Sequence, residues 1–269
     1  MKKNTPKKIN YVILTSPRTG STFFCDMLYN LNIMDKIDPF YEILHPDILK
    51  NSKKIPDKNF LINEFDKHRI KGMSGFKIMY GQLDKILTKK NIPIEKSIDL
   101  FPEKTKFIVI TRRNVLRQAI SFLKALKLNE WKKTNNPNKQ KEISLKNCEI
   151  DRKIHELKKE NLLIKKFCKV NNIEPLTLCY EDFADNKEIA LKKILDYLDA
   201  KIENPIIKTS LVKQSDDVTE KIIKNYSGIM TKSKNRQKIY FLKRDILNPF
   251  YRLFSFIKRR IAKYKKVKN

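Results

Sequence analysis

Four apolar residues, Tyr11 to Leu14, run into a polar turn, Thr15-Ser16-Pro17-Arg18-Thr19, and then into an apolar stripe at helical spacing: Phe23, Phe24, Met27, Leu28 and Leu31. No other stretch limits the fold as tightly. A buried strand that leads directly into a helix aims free backbone N–H groups and the positive end of a helix dipole at one point. Arg18 adds a fixed cation there, and Ser21 and Thr22 add hydroxyl donors. The turn therefore reads as a cradle for a phosphate or sulfate group. It departs from the nucleotide-hydrolase loop, which has a glycine where Thr15 stands and a lysine where Ser21 stands. That departure disfavours an ordinary magnesium-nucleotide hydrolase. The plainer reading is a polar strand-to-helix turn in which Ser21 or Thr22 caps the helix.

A second unit repeats this layout. Phe107 to Ile110 is a continuous apolar run, as in a strand buried on both faces of a parallel sheet. Arg112, Arg113 and Asn114 follow, and then a helix. Its apolar stripe is Val115, Ala119, Phe122 and Leu126, beside a polar one of Asn114, Gln118 and Ser121. Arg112, Arg113 and Arg117 crowd the start of this helix, where the dipole disfavours cations. Such a local cost points to a bound anion. The alternative is a solvated basic turn.

Further strands read at Gly75 to Tyr80 and Leu176 to Tyr180, with helices near Gln82 to Leu87, over 150–170 and over 186–198. Lys77 sits inside the first of these apolar runs. A buried ammonium needs a partner, so it either faces the site or snorkels at the sheet edge. The loop 35–54 carries Pro39-Phe40-Tyr41-Glu42-Ile43-Leu44-His45-Pro46. It reads as a stiff active-site loop, or as a surface connection with Phe40 and Tyr41 packed inward. Residues 132–149 read as a polar insert. Strands separated by helices, with no Asn-Gly hairpin signal, predict an α/β fold with a mostly parallel central sheet flanked by helices. Ligands of such sheets bind beyond the carboxyl ends of the strands, and both anion candidates directly follow a strand.

At 269 residues the chain suits one α/β domain with insertions, or two small ones. The balance of 59 Lys+Arg against 30 Asp+Glu, a net +29, favours polyanionic partners. Part of that charge reflects a Lys-, Asn- and Ile-rich composition throughout. Cys25, Cys148, Cys168 and Cys179 show no CxxC spacing and no His partner pattern, so neither a disulfide framework nor a zinc site is expected, and a reducing cytosol fits. The basic first ten residues precede an apolar run too short for a signal segment or a membrane span.

The ordered set Pro17-Arg18-Thr19-Gly20-Ser21-Thr22, Gly75-Phe76-Lys77-Ile78-Met79, Arg112-Arg113 with Gln118-Ala119-Ile120-Ser121 and Trp131, and Tyr180-Glu181-Asp182-Phe183 resembles the sulfotransferase superfamily. More narrowly it resembles the bacterial carbohydrate sulfotransferases typified by trehalose 2-sulfotransferase. The resemblance runs over residues 9–226 and implies a three-layer, P-loop-like fold in a domain spanning 1–230. It implies 3′-phosphoadenosine 5′-phosphosulfate (PAPS) as the sulfuryl donor. Arg18, Thr19, Gly20, Ser21 and Thr22 correspond to the 5′-phosphosulfate loop. Arg113 and Ser121, eight residues apart, correspond to the 3′-phosphate pair. Glu42 is the nearest match to the catalytic carboxylate, with His45 as the fallback base, and Lys213-Gln214 corresponds to a segment closing over the nucleotide. Sulfuryl transfer of this kind needs no metal when donors stabilise the leaving phosphate. The implied acceptor is a hydroxyl of a glycan or glycolipid.

The remaining piece, 231–269, carries 14 Lys+Arg and one acid, Asp245. Within 246–268 the residues Phe250, Leu253, Phe254, Ile257, Ile261 and Tyr264 keep helical spacing among basic neighbours. A basic amphipathic helix reads as a membrane-surface segment, here for an enzyme in the cytoplasm peripheral to the inner membrane face. A helix packed on its own domain fits equally. Two other classes stand against the sulfotransferase reading. A P-loop-type kinase calls for a lysine in the first turn and an acidic metal ligand after the Phe107 strand, where Arg112-Arg113 stands. A non-enzymatic basic module for nucleic acid or membrane accounts for the charge but not for two ordered anion sites, and no specific nucleic acid is expected.

Overall fold

A computed structural model describes residues 8–52, 55–131, 143–202 and 217–227. Four strands, β1 (Ile9–Thr15), β2 (Met73–Met79), β3 (Lys106–Thr111) and β4 (Leu176–Cys179), form one sheet in the order β2-β1-β3-β4. Every pairing is parallel. The expected α/β fold with a parallel sheet under helices is what forms.

The period of two along each strand assigns its side chains to two layers. Tyr11 and Ile13 of β1 point into a core built with α1 (Ser21–Asn30), α7 (Tyr180–Asp185) and α8 (Lys187–Leu198). Val12 and Leu14 point the other way, into a core built with α3 (Lys58–Lys67), α4 (Tyr80–Lys90) and α6 (Asn147–Val170). Burial on both faces explains why β1 and β3 are continuous apolar runs.

Three features differ from the sequence reading. Helices α2 (Pro46–Ser52) and α3 occupy a region read as loop or left unassigned; α3 buries only Leu61 and Phe65, too sparse a stripe to stand out. The insert read over 132–149 ends earlier, because α6 begins at Asn147. In α5 (Val115–Leu128) the buried face is Gln118, Ala119, Ile120, Leu123 and Ala125, and Leu126 is exposed. The face that packs is rotated from the expected stripe, toward Ile120 and Leu123. In α8 Ala190, Leu191, Ile194, Leu195 and Leu198 are buried, and Ile189 is exposed.

The chain divides into two compact units, Met1–Ile223 and Lys224–Asn269. Residues Lys213-Gln214 and the basic piece from 231 onward lie outside the described residues. Among the described residues no helix is long and apolar enough to cross a membrane.

Candidate functional site

The site is assembled at the carboxyl edge of the sheet. In the first turn, Thr15 Oγ1 donates to the Ile110 carbonyl at 2.9 Å, which joins β1 to β3 just where both strands end. The Thr15 and Thr19 hydroxyls lie 2.6 Å apart, so Thr19 is spent on the turn itself. Ser16 Oγ donates to Asn161 Oδ1 of α6 at 2.9 Å. Gln118 Nε2 of α5 donates to Ser16 Oγ at 3.1 Å and to the Pro17 carbonyl at 2.7 Å. Two helices therefore brace the turn from outside. Arg18 and Gly20 take left-handed backbone conformations, φ 65° and 78°. Gly20 is needed twice over, because a Cβ there would overlap the Tyr180 ring as well as strain the backbone.

This turn leaves an anion's place. Neither Ser21 nor Thr22 caps α1: Gly20 is the cap and no side chain serves it. The first backbone bond of α1 runs from Phe24 N–H to the Gly20 carbonyl at 3.1 Å. The N–H groups of Ser21, Thr22 and Phe23 thus face the turn, with Ser21 buried beside them. Arg18 lies across the opening. Its Nε donates to Ser121 Oγ at 3.0 Å and its Nη1 to the Trp131 carbonyl at 2.8 Å. Both partners are neutral, and among the described residues Arg18 pairs with no carboxylate. Burial, and then the positive charge of Arg112, push the Arg18 guanidinium down to about 10. Arg112 stacks on Tyr180, 4.5 Å from its ring centroid, and donates from Nη1 to the Arg18 carbonyl at 3.0 Å. Arg112 Nε is buried and makes no hydrogen bond; its nearest acid is Glu181 Oε1, 4.0 Å away. A partly buried guanidinium without a carboxylate, a second one beside it and an uncapped helix start are donors of the kind that an anionic group requires.

The second turn is different. Glu181, at the start of α7, accepts from the N–H groups of Arg113 and Asn114 at 2.9 and 3.0 Å. Burial pushes the Glu181 carboxyl up, but hydrogen bonds from the Cys179 thiol and these two N–H groups outweigh it and hold it at about 2. Arg113 Nη2 pairs with Asp182 Oδ1 at 2.7 Å. Arg117 is bidentate to Glu220 of α9 (Asp217–Asn225), at 2.5 and 2.8 Å. Asn114 Oδ1 caps α5 by accepting from Arg117 N–H at 3.0 Å. The crowded cations imply an anion, and the described residues supply acids of the chain's own here. Arg113 lies ahead of the helix and turns to α7, while Ser121 is taken by Arg18.

The 39–45 loop holds the carboxylate. Phe40 and Tyr41 are both left-handed, φ 62° and 63°, a costly pair that turns Glu42 inward. Glu42 Oε1 meets Lys77 Nζ at 3.0 Å, and Oε2 accepts from Gln82 Nε2 at 2.6 Å. Lys77 therefore faces the site; it does not snorkel. Its ammonium also donates to Thr22 Oγ1 at 2.8 Å. His45 looks elsewhere: its Nδ1 accepts from Asp47 N–H at 3.3 Å, at the start of α2. The Gln82 and Asn161 contacts had no sequence signal, since their partners Glu42 and Ser16 lie 40 and 145 residues away.

Solved structures similar to the chain include three sulfotransferases. One is a sulfotransferase from Alicyclobacillus acidocaldarius (12% identity, 82% of this chain and 92% of that one, TM-score 0.47). The second is the sulfotransferase domain of the curacin biosynthetic pathway (16%, 80% and 83%, 0.46). The third is the sulfotransferase domain of the Synechococcus PCC 7002 olefin synthase (16%, 82% and 86%, 0.41). No curated protein matches the chain. The profile of one family, described as Stf0 sulphotransferase, matches residues 73–228. That match begins with β2, takes in the second turn and α7, and spans more than half of the sequence: the chain belongs to the Stf0 sulphotransferase family and is a sulfotransferase.

Proposed function

We propose that the protein transfers a sulfuryl group from PAPS to a carbohydrate hydroxyl. The observation that carries this reading is Arg18, a partly buried cation without a carboxylate, laid over an uncapped helix start. PAPS supplies the sulfuryl group on a phosphate leaving group. Arg18, the N–H groups of Thr19 to Thr22 and the hydroxyls of Ser21 and Thr22 hold the 5′-phosphosulfate end. Preorganised donors of this kind stabilise charge as it grows on the leaving oxygen. Glu42 receives the proton of the acceptor hydroxyl, a role worth roughly 10²–10⁴ in rate. Arg113 and Ser121 receive the 3′-phosphate once Arg113 leaves Asp182. The carbohydrate acceptor, glycan or glycolipid, follows from the likeness to trehalose 2-sulfotransferase. Membrane-surface attachment through 246–268 rests on sequence alone; deleting residues from 231 onward and finding unchanged partition to anionic vesicles would end it.

Calorimetry without metal tests the donor reading, comparing 3′,5′-adenosine bisphosphate with ATP on wild type and Arg18→Ala. Binding of the bisphosphate alone, lost in the variant, is the expected result. Equal binding of ATP would return the kinase reading. Mass spectrometry of trehalose incubated with PAPS and enzyme tests the acceptor class.

A further inference from the structure

Lys77 is fully buried, and nothing assigned so far uses its charge. It lies on the edge strand β2, and the loop after α1 closes on that edge: Lys77 N–H donates to the Tyr41 carbonyl at 2.8 Å. The side chain leaves on the α1 side of the sheet. It ends 3.0 Å from Glu42 Oε1 and 2.8 Å from Thr22 Oγ1. An ammonium beside the first turn of a helix opposes the dipole, and full burial makes it costly unless it is paired. Glu42 provides the pairing, and Gln82 fixes the second carboxylate oxygen. Thr22 Oγ1 accepts from Lys77, which leaves the Thr22 proton for a further acceptor. That hydroxyl stands in the turn whose N–H groups await an anion, and a hydroxyl polarised from behind donates more strongly.

We propose that Lys77 is a positioning residue that passes charge between the acceptor base and the donor turn. This rests on the reading of Glu42 as the base and of residues 15–22 as the donor site. At rest the carboxylate of Glu42 cancels the ammonium. During transfer the acceptor O–H bond breaks and its proton goes to Glu42. The acceptor oxygen bonds to sulfur. The bridging S–O bond breaks, and its electron pair goes to the 5′-phosphate. Glu42 becomes neutral as the phosphate gains charge. Lys77 then has no carboxylate partner, and its pull reaches the phosphate through Thr22. One negative charge leaves the pair as one arrives at the turn, so the buried charge balance is kept throughout.

The experiment needs no acceptor. Glu42→Gln imitates the protonated base, so it unmasks Lys77. Calorimetric titration of metal-free protein with 3′,5′-adenosine bisphosphate should show Glu42→Gln binding roughly tenfold tighter than wild type, and Lys77→Met roughly tenfold weaker. The double variant removes both charges and should return to about the wild-type value. Thr22→Val should remove most of the gain in the Glu42→Gln background. Thermal melts of every variant report folding, and Glu42→Gln alone carries the sign if Lys77→Met does not fold. A purely structural pair predicts weaker binding in both single variants, which overturns the proposal; so does unchanged binding in Glu42→Gln. Absence of binding by wild type overturns the donor reading, and this inference with it. Binding by wild type without the gain overturns the inference alone.

Discussion

Two strand-to-helix turns stand side by side at the carboxyl edge of this sheet, and they solve one electrostatic problem in opposite ways. Both follow buried strands, and both crowd arginines against the start of a helix. At the second turn the chain answers its own charge, with Glu181 on the α5 N–H groups, Asp182 on Arg113 and Glu220 on Arg117. At the first turn no acid among the described residues reaches Arg18, although Arg18 and Arg112 repel each other there and Arg112 has only the edge of Glu181, 4.0 Å away. Charges closed within the protein need no ligand, whereas a cation left without an acid is what the proposed donor site would use, held at some cost to stability.

The largest effect should come from opening the first turn further. Arg18→Ala should lower the rate of transfer from PAPS by roughly 10²–10³, since one preorganised donor is lost. Initial rates of 3′,5′-adenosine bisphosphate release measure this, with trehalose or water as acceptor. The melting temperature should stay near that of wild type, because the removed cation had no acid to leave behind. An unchanged rate would erase the contrast between the turns.

Gly20→Ala tests the shape of the same turn. A left-handed backbone and overlap with the Tyr180 ring should together cost about 2–4 kcal/mol, read by urea denaturation. Little loss would mean that Tyr180 and α7 give way easily, and the turn would then be less rigid than its bracing by Ser16, Asn161 and Gln118 implies.

At the second turn, Glu181→Gln should cost on the order of 1 kcal/mol at neutral pH, modest because the carboxylate keeps contact with water. The sign follows from its depressed value. The native carboxyl sits at about 2 against an ordinary 4.5, so its contribution is present above 4.5 and is lost as pH falls through 2. Melting temperatures of wild type and variant should therefore differ at pH 7 and converge near pH 2. A gap that persists at pH 2 would show that the side chain acts by packing, not by holding the α5 N–H groups.

Much of this contrast was legible before the structure, and the part that was not has a physical cause. The strands were readable because burial on both faces leaves no polar position in Phe107 to Ile110. The first turn was readable because Arg18, Gly20 and Thr22 lie close together in the chain. Glu42 was reached through family resemblance, since nothing local separates it from other acids. The direction of Lys77 needed the register of β2 and the loop docked on its edge. At the second turn the signal is of another kind. Glu181 and Asp182 were in view, but that they close on α5 depends on β4 lying next to β3, with Thr111 opposite Cys179. A crowd of cations in sequence implies an anion without saying who provides it.

The smallest structural effect, and the sharpest test of the second turn, belongs to Arg113. Its pair with Asp182 is exposed, so Arg113→Ala should change stability by roughly 0–1 kcal/mol. If Arg113 exchanges Asp182 for a 3′-phosphate, the preference for 3′,5′-adenosine bisphosphate over adenosine 5′-phosphate should fall roughly tenfold in this variant. Asp182→Asn should raise the same preference, because it removes the internal competitor and keeps the arginine. Opposite movement of the two variants would make the second turn a site whose acid the donor displaces. A preference untouched by either would leave this turn purely structural, with the 3′-phosphate bound by other residues.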